Sequence, residues 1–207
     1  MNKLFSFLSP KTASKKPVII VSGLPRSGTS LMMKMINAGG LPVITDGLRT
    51  ADDDNPNGYF ELEAVKELSK GNPAWLEDAD GKAVKVISSL LEFLPPNHSY
   101  KIIFLEREPA EVLRSQQKML VNRNEGNQVN DEQMRKEFQT HLMAVRAWLA
   151  SQANMDVLYI NFNALMSDPQ TFCNRIAEFI GLPLNIERML AIPDNSLYRN
   201  RTVDEPK

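Results

Sequence analysis

The chain has one cysteine and two histidines in 207 residues. A single thiol, Cys173, cannot close an internal disulfide. It lies in an apolar helical pattern with Phe172, Ile176, Phe179 and Ile180, and reads as a small buried hydrophobe. No cluster of Cys and His offers a metal site. No apolar run approaches the ~18–20 residues that span a membrane. The greasy patch at Leu4, Phe5, Phe7 and Leu8 is shorter than a signal-peptide core and leads to no clear cleavage site. Residues 1–16 therefore read as a loosely ordered extension, with contact with a membrane surface as the alternative for the patch, and the cytoplasm is the default location. An excess of charge is lacking too: the formal net charge is -1, so no global field draws the chain to nucleic acid. The rest is ordinary, with 43% hydrophobic and 24% charged residues and a length suited to one core, so one domain is expected over 17–207.

One more absence is local. Residues 23–30 read Gly-Leu-Pro-Arg-Ser-Gly-Thr-Ser, directly after the apolar run 17–21. This is the frame of a phosphate-binding loop, G-x-x-x-x-G-K-[ST], but Thr29 stands where an ATPase has its Lys. A strand running into a tight turn that opens a helix aims backbone N–H groups at an anion. Without the Lys that bridges beta- and gamma-phosphates, transfer of a gamma-phosphoryl group is disfavoured. The bland alternative is an ordinary strand–turn–helix connection.

Periodicity organises the remainder. Strands are expected at 18–22, 83–87, 101–106 and 156–160, with an extended piece at 42–44; helices are expected at 28–38, 60–70, 109–122, 131–153 and 169–180. This alternation implies an α/β fold with a mostly parallel central sheet covered on both faces, and ligands beyond the carboxyl ends of the strands. The polar segments 45–58 and 123–131 read as insertions. Arg107 follows the third strong strand, Pro109 suits the first turn of the next helix, and Ser115 lies about two turns in. An Arg and a Ser so placed can grip one phosphate, or be an incidental surface pair. The two sites together describe a nucleotide phosphorylated at two positions.

At these residues the chain resembles the sulfotransferase family, whose members use 3'-phosphoadenosine 5'-phosphosulfate (PAPS). Pro25-Arg26-Ser27-Gly28-Thr29-Ser30 matches the form P-[KR]-[SG]-G-T-[TS], and Arg107, Pro109 and Ser115 match the second motif. Residues 158–165, Asp168-Pro169 and Phe179-Ile180-Gly181-Leu182-Pro183 are similar to the family's late strand, its Y-E-D-L-like turn and its "F-L-G-L-P" helix end. The likeness implies a P-loop-type three-layer αβα sandwich. It implies that Pro25, Arg26, Ser27, Gly28, Thr29 and Ser30 hold the 5'-phosphosulfate, with Arg26, as in the tyrosylprotein sulfotransferases, neutralising charge as the sulfuryl group leaves. Arg107 and Ser115 would bind the 3'-phosphate. The tail Tyr198-Arg199-Asn200-Arg201 would close over the nucleotide through Arg199 and Arg201, or be a solvated tail.

The family's catalytic His is missing. Where cytosolic members have His two residues after Lys, this chain has Lys85-Val86-Ile87. His98 precedes a strand, at the wrong end of the sheet, and His141 sits in the core-facing pattern Phe138-His141-Leu142-Val145. Other sulfotransferases use a Glu. Glu61 is favoured here, in the expected first turn of a helix after Asn55-Pro56-Asn57-Gly58, ahead of Glu63 and of Asp52, Asp53 and Asp54. Lys85 would steady the sulfuryl group, or simply face solvent. The resemblance thus implies sulfuryl transfer from PAPS to an acceptor hydroxyl or amine, releasing 3',5'-ADP, with no metal. The alternatives are a nucleotide-binding homologue without turnover and a Mg2+-dependent small-molecule kinase, which Thr29 opposes. Trp75, Tyr59 and Phe60 line an acceptor pocket or belong to the core. The acceptor and the oligomeric state stay open.

Overall fold

A computed structural model describes residues 16–49, 58–122 and 130–194. Asp52, Asp53, Asp54, Arg199 and Arg201, and the extension up to residue 15, lie outside the described residues. Four strands, β1 (Val18–Gly23), β2 (Ala83–Lys85), β3 (Tyr100–Glu106) and β4 (Met155–Asn161), form one parallel sheet in the order β2-β1-β3-β4. The expected piece at 42–44 is a single parallel bridge between Val43 and Ala83.

All six residues of β1 are buried, as expected for a central strand covered on both faces. Side chains alternate across the sheet. Ile19, Val21, Ile103 and Leu105 face one apolar layer with Met32, Met35 and Ile36 of α1 (Thr29–Ala38). Cys173 and Ile176 of α5 (Pro169–Ile180) and Met189 of α6 (Ile186–Leu190) complete that layer. Val18, Ile20, Val84, Ile102 and Phe104 face the other, with Trp75, Leu76, Leu91 and Leu149. This is the three-layer αβα sandwich. Burial pushes the Cys173 thiol up to about 11, which suits an inert, packed cysteine.

The remaining helices are α2 (Pro109–Asn122), α3 (Asp131–Ala150) and the short α4 (Phe162–Ser167). No described helix is long and apolar enough to cross a membrane. Where a helix was expected over 60–70, the chain instead forms a 3-10 segment, Glu63–Lys70. Phe60 lies at φ 50 and Leu62 is extended at φ -127, so neither fits a right-handed helix. Glu61 is consequently not in a helical first turn. The second strand ends at Lys85 rather than 87, because Ile87 turns the chain into a further 3-10 segment, Ser88–Phe93. Trp75 and Tyr59 are buried, Trp75 within the second layer, which sides with the core reading of Trp75.

Candidate functional site

Because all four strands are parallel, Gly23, Lys85, Glu106 and Asn161 lie at the same, carboxyl, end of the sheet. The loop after β1 leads straight into α1. Gly28 caps α1 at φ 101, a conformation that costs any L side chain, and a Cβ there would lie 2.3 Å from the Phe162 ring. A Cβ on Gly23 would meet the Ser27 hydroxyl at 2.5 Å and the Leu105 carbonyl at 2.6 Å. The loop is therefore wrapped tightly, with its floor supplied by β3 and α4. Gly28→Ala is expected to cost at least about 2 kcal/mol from strain and overpacking. For a chain of this size that is a fall in Tm of roughly 4–8 °C. An unchanged Tm would show that Phe162 does not press on the loop.

Arg26 lies at φ 72, a strained setting for a residue with a side chain. Its Nε donates to the Ser115 hydroxyl at 3.0 Å, and its carbonyl accepts from Arg107 Nη1 at 3.3 Å. The two motifs, 81 residues apart for that second contact, are thus one structural unit. Arg107 is pinned further by Glu111, whose Oε2 accepts from its Nε at 2.9 Å, and by Phe162, whose ring centre lies 4.6 Å from the guanidinium carbon. The Ser27 hydroxyl is buried and makes no hydrogen bond among the described residues. A buried donor without a partner beside the amino end of α1, which has no side-chain cap, fits a group rich in acceptor oxygens.

The second constellation surrounds Glu61. Its carboxylate lies 3.3 Å from Lys85 Nζ and 3.2 Å from Arg49 Nη1. Lys85 is nearly buried, and its ammonium also donates to the Tyr59 carbonyl and, at 3.5 Å, to the Ser30 hydroxyl of α1. Burial pushes the Lys85 ammonium below the ordinary lysine range, while the Glu61 charge pulls it back up. Arg49 stacks on the Tyr59 ring at 3.3 Å. The backbone of Glu61 is itself tied down, its carbonyl accepting from the Thr45 hydroxyl at 2.8 Å and from the Asp46 N–H at 3.2 Å. Asp46 in turn accepts from the N–H of Glu63 and of Leu48, which holds its carboxyl below the usual range.

Lys85, Glu61, Ser30 and the P-loop therefore sit together, and Arg26, Arg107 and Ser115 form the adjoining group. Glu63 does not join them; it is exposed and pairs with Lys66 one turn on. His98 stays at the amino end of β3, its Nδ1 2.9 Å from Asn97 Oδ1. His141 has a structural role: its Nε2 is 2.8 Å from the buried Ser88 hydroxyl, fastening α3 to the 88–93 segment. Ile87 is 42% exposed. Sequence reasoning missed Arg49, Glu111 and Asn163. The i,i+4 spacing of Arg107 and Glu111 could have found one of them.

A family model described as the sulfotransferase domain matches residues 16–202. No curated protein matches at a significant level. Among solved structures, a mouse sulfotransferase complexed with PAP is similar at 18% identity and a TM-score of 0.58, over 93% of this chain and 68% of that one. A sulfotransferase from Mycobacterium tuberculosis is similar at 16% identity and 0.52, over 88% and 72%. One from Alicyclobacillus acidocaldarius follows at 15% and 0.51, over 87% and 85%.

Proposed function

The chain belongs to the sulfotransferase domain family, and from that premise we propose that it moves a sulfuryl group from PAPS to an acceptor hydroxyl or amine, leaving 3',5'-ADP. The observation that carries this reading is the joining of the two motifs, Arg26 to Ser115 at 3.0 Å and Arg107 to the Arg26 carbonyl at 3.3 Å. A single phosphate loop would serve many nucleotides. Two grips locked to each other suit a ligand with phosphates at both ends of its ribose.

In this reading residues 25–30 hold the 5' group, with the Ser27 hydroxyl and the first N–H groups of α1 as donors. Arg107 and Ser115 hold the 3'-phosphate through charge-assisted bonds. PAPS supplies an activated sulfuryl group. Arg26 and Lys85 lie where negative charge develops as that group is passed on, and such fixed donors usually contribute most to the rate. Glu61 takes the acceptor's proton, with Lys85 and Arg49 holding its carboxylate in place. Arg199 and Arg201 remain candidates to close over the nucleotide. One observation favours a second reading, a nucleotide-binding member without turnover: Ile87 stands where cytosolic members carry their His. Tight 3',5'-ADP binding with no product from a broad acceptor panel and labelled PAPS would select that reading.

The test is isothermal titration. 3',5'-ADP is expected to bind at least about tenfold more tightly than 5'-AMP, since each charge-assisted bond contributes ~1.5–3 kcal/mol. Arg107→Ala should erase most of that preference, with a lowered Tm because it strips the buried Glu111 carboxylate of its cation. Equal affinities in the unaltered protein would remove the 3'-phosphate assignment.

A further inference from the structure

Glu111 is the one fully buried charged side chain among the described residues, at 0% exposure. A carboxylate there faces a large desolvation cost, and an apolar residue of the same volume is often the more stable choice. Its surroundings show what the charge does. Oε2 accepts from Arg107 Nε at 2.9 Å and Oε1 accepts from Asn163 Nδ2 at 3.1 Å. Asn163 comes from α4, next to Phe162, whose ring lies against both the Arg107 guanidinium and Gly28. The guanidinium is thus held at Nε by a carboxylate, at Nη1 by the Arg26 carbonyl and on its face by a ring. Its plane has little freedom left.

We infer that Glu111 is a positioning residue, which fixes the guanidinium plane of Arg107 at the angle that meets the 3'-phosphate, with Asn163 fixing Glu111 in turn. The inference rests on the nucleotide reading above. It makes a prediction opposite to that of simple electrostatics. If Glu111 merely neutralised Arg107, removing its charge would strengthen phosphate binding. If it positions Arg107, removal weakens binding although the local charge becomes more positive. A purely structural role would instead lower the affinities for all nucleotides alike.

The experiment titrates 3',5'-ADP and 5'-AMP into the full chain carrying Glu111→Gln, Asn163→Ala or Arg107→Ala, with Tm recorded for each. Glu111→Gln should lower the 3',5'-ADP to 5'-AMP affinity ratio about fivefold or more, with 5'-AMP affinity changed less than about twofold. Asn163→Ala leaves the charges alone and should lower the ratio about threefold. If Glu111→Gln does not fold, Asn163→Ala decides: a fall in the ratio supports the inference and an unchanged ratio overturns it. A ratio that holds or rises in Glu111→Gln overturns it directly, provided Arg107→Ala abolishes the preference. If Arg107→Ala keeps the preference, the 3'-phosphate reading falls and takes this inference with it.

Discussion

Glu61→Gln is expected to keep nucleotide affinity and to lose ~10²–10⁴ in kcat, the range for removing a general base. Gln keeps the size of Glu and an oxygen that can face Lys85 and Arg49, but it takes no proton near neutral pH. The position of the side chain survives because its backbone is held by Thr45 and Asp46, not by the carboxylate. Glu63→Gln is the control. The Glu63 side chain is exposed and pairs with Lys66, so its loss should leave kcat within about twofold, as for surface changes in general. Steady-state rates with the true acceptor check both. If Glu61→Gln turns over at near-full rate, Glu61 is not the base. The base would then be sought among Asp52, Asp53 and Asp54, or the acceptor is acidic enough to need none.

Arg26→Ala should lower kcat by ~10²–10³, the loss seen when one donor to developing charge is removed. The same change should weaken 3',5'-ADP far less, because the product lacks the group that Arg26 is assigned to stabilise. Arg26→Lys should restore part of the rate, since an ammonium supplies the charge without the planar fork. Single-turnover rates and titrated affinities separate the two effects. A variant whose 3',5'-ADP affinity collapses while its rate at saturation is unchanged would move Arg26 from catalysis to ground-state binding.

The parts of this site that could be read in advance are those whose chemistry is local in the chain. The strand–loop–helix at 18–38 announces itself through a buried run, two glycines and a helical period, and the structure reproduces it almost to the residue. The places of Arg107 just after β3, Pro109 in the first turn of α2 and Ser115 two turns in were legible for the same reason. Three features were not. Phe60 adopts φ 50, which no local rule assigns to a phenylalanine, and this moved Glu61 out of the expected helix. Arg49 pairs with Glu61 although the sequence between them is charged and turn-forming, where periodicity gives no guide to contact. Lys85 meets Glu61 because the segment bridged to β2 at Val43 and Ala83 goes on to Thr45 and Asp46, which bind the Glu61 carbonyl, a relation set by packing and not by spacing. The exposed Ile87 was visible as a missing His, yet its position did not reveal which carboxylate lies near Lys85.

The Phe162 ring resting on Gly28 also bears on the order of assembly. The loop motif is complete once residue 30 has been synthesised, but the floor it packs on comes from β3 and α4, the latter more than 130 residues later. Pairings over such separations close late, because the entropy of a long loop must be overcome first. A chain leaving the ribosome therefore carries the loop motif long before α4 is there to pack against it. On the proposed reading of the loop, an anion held there would be stabilised through packing that includes α4, more than 130 residues along the chain, and not by the local motif alone.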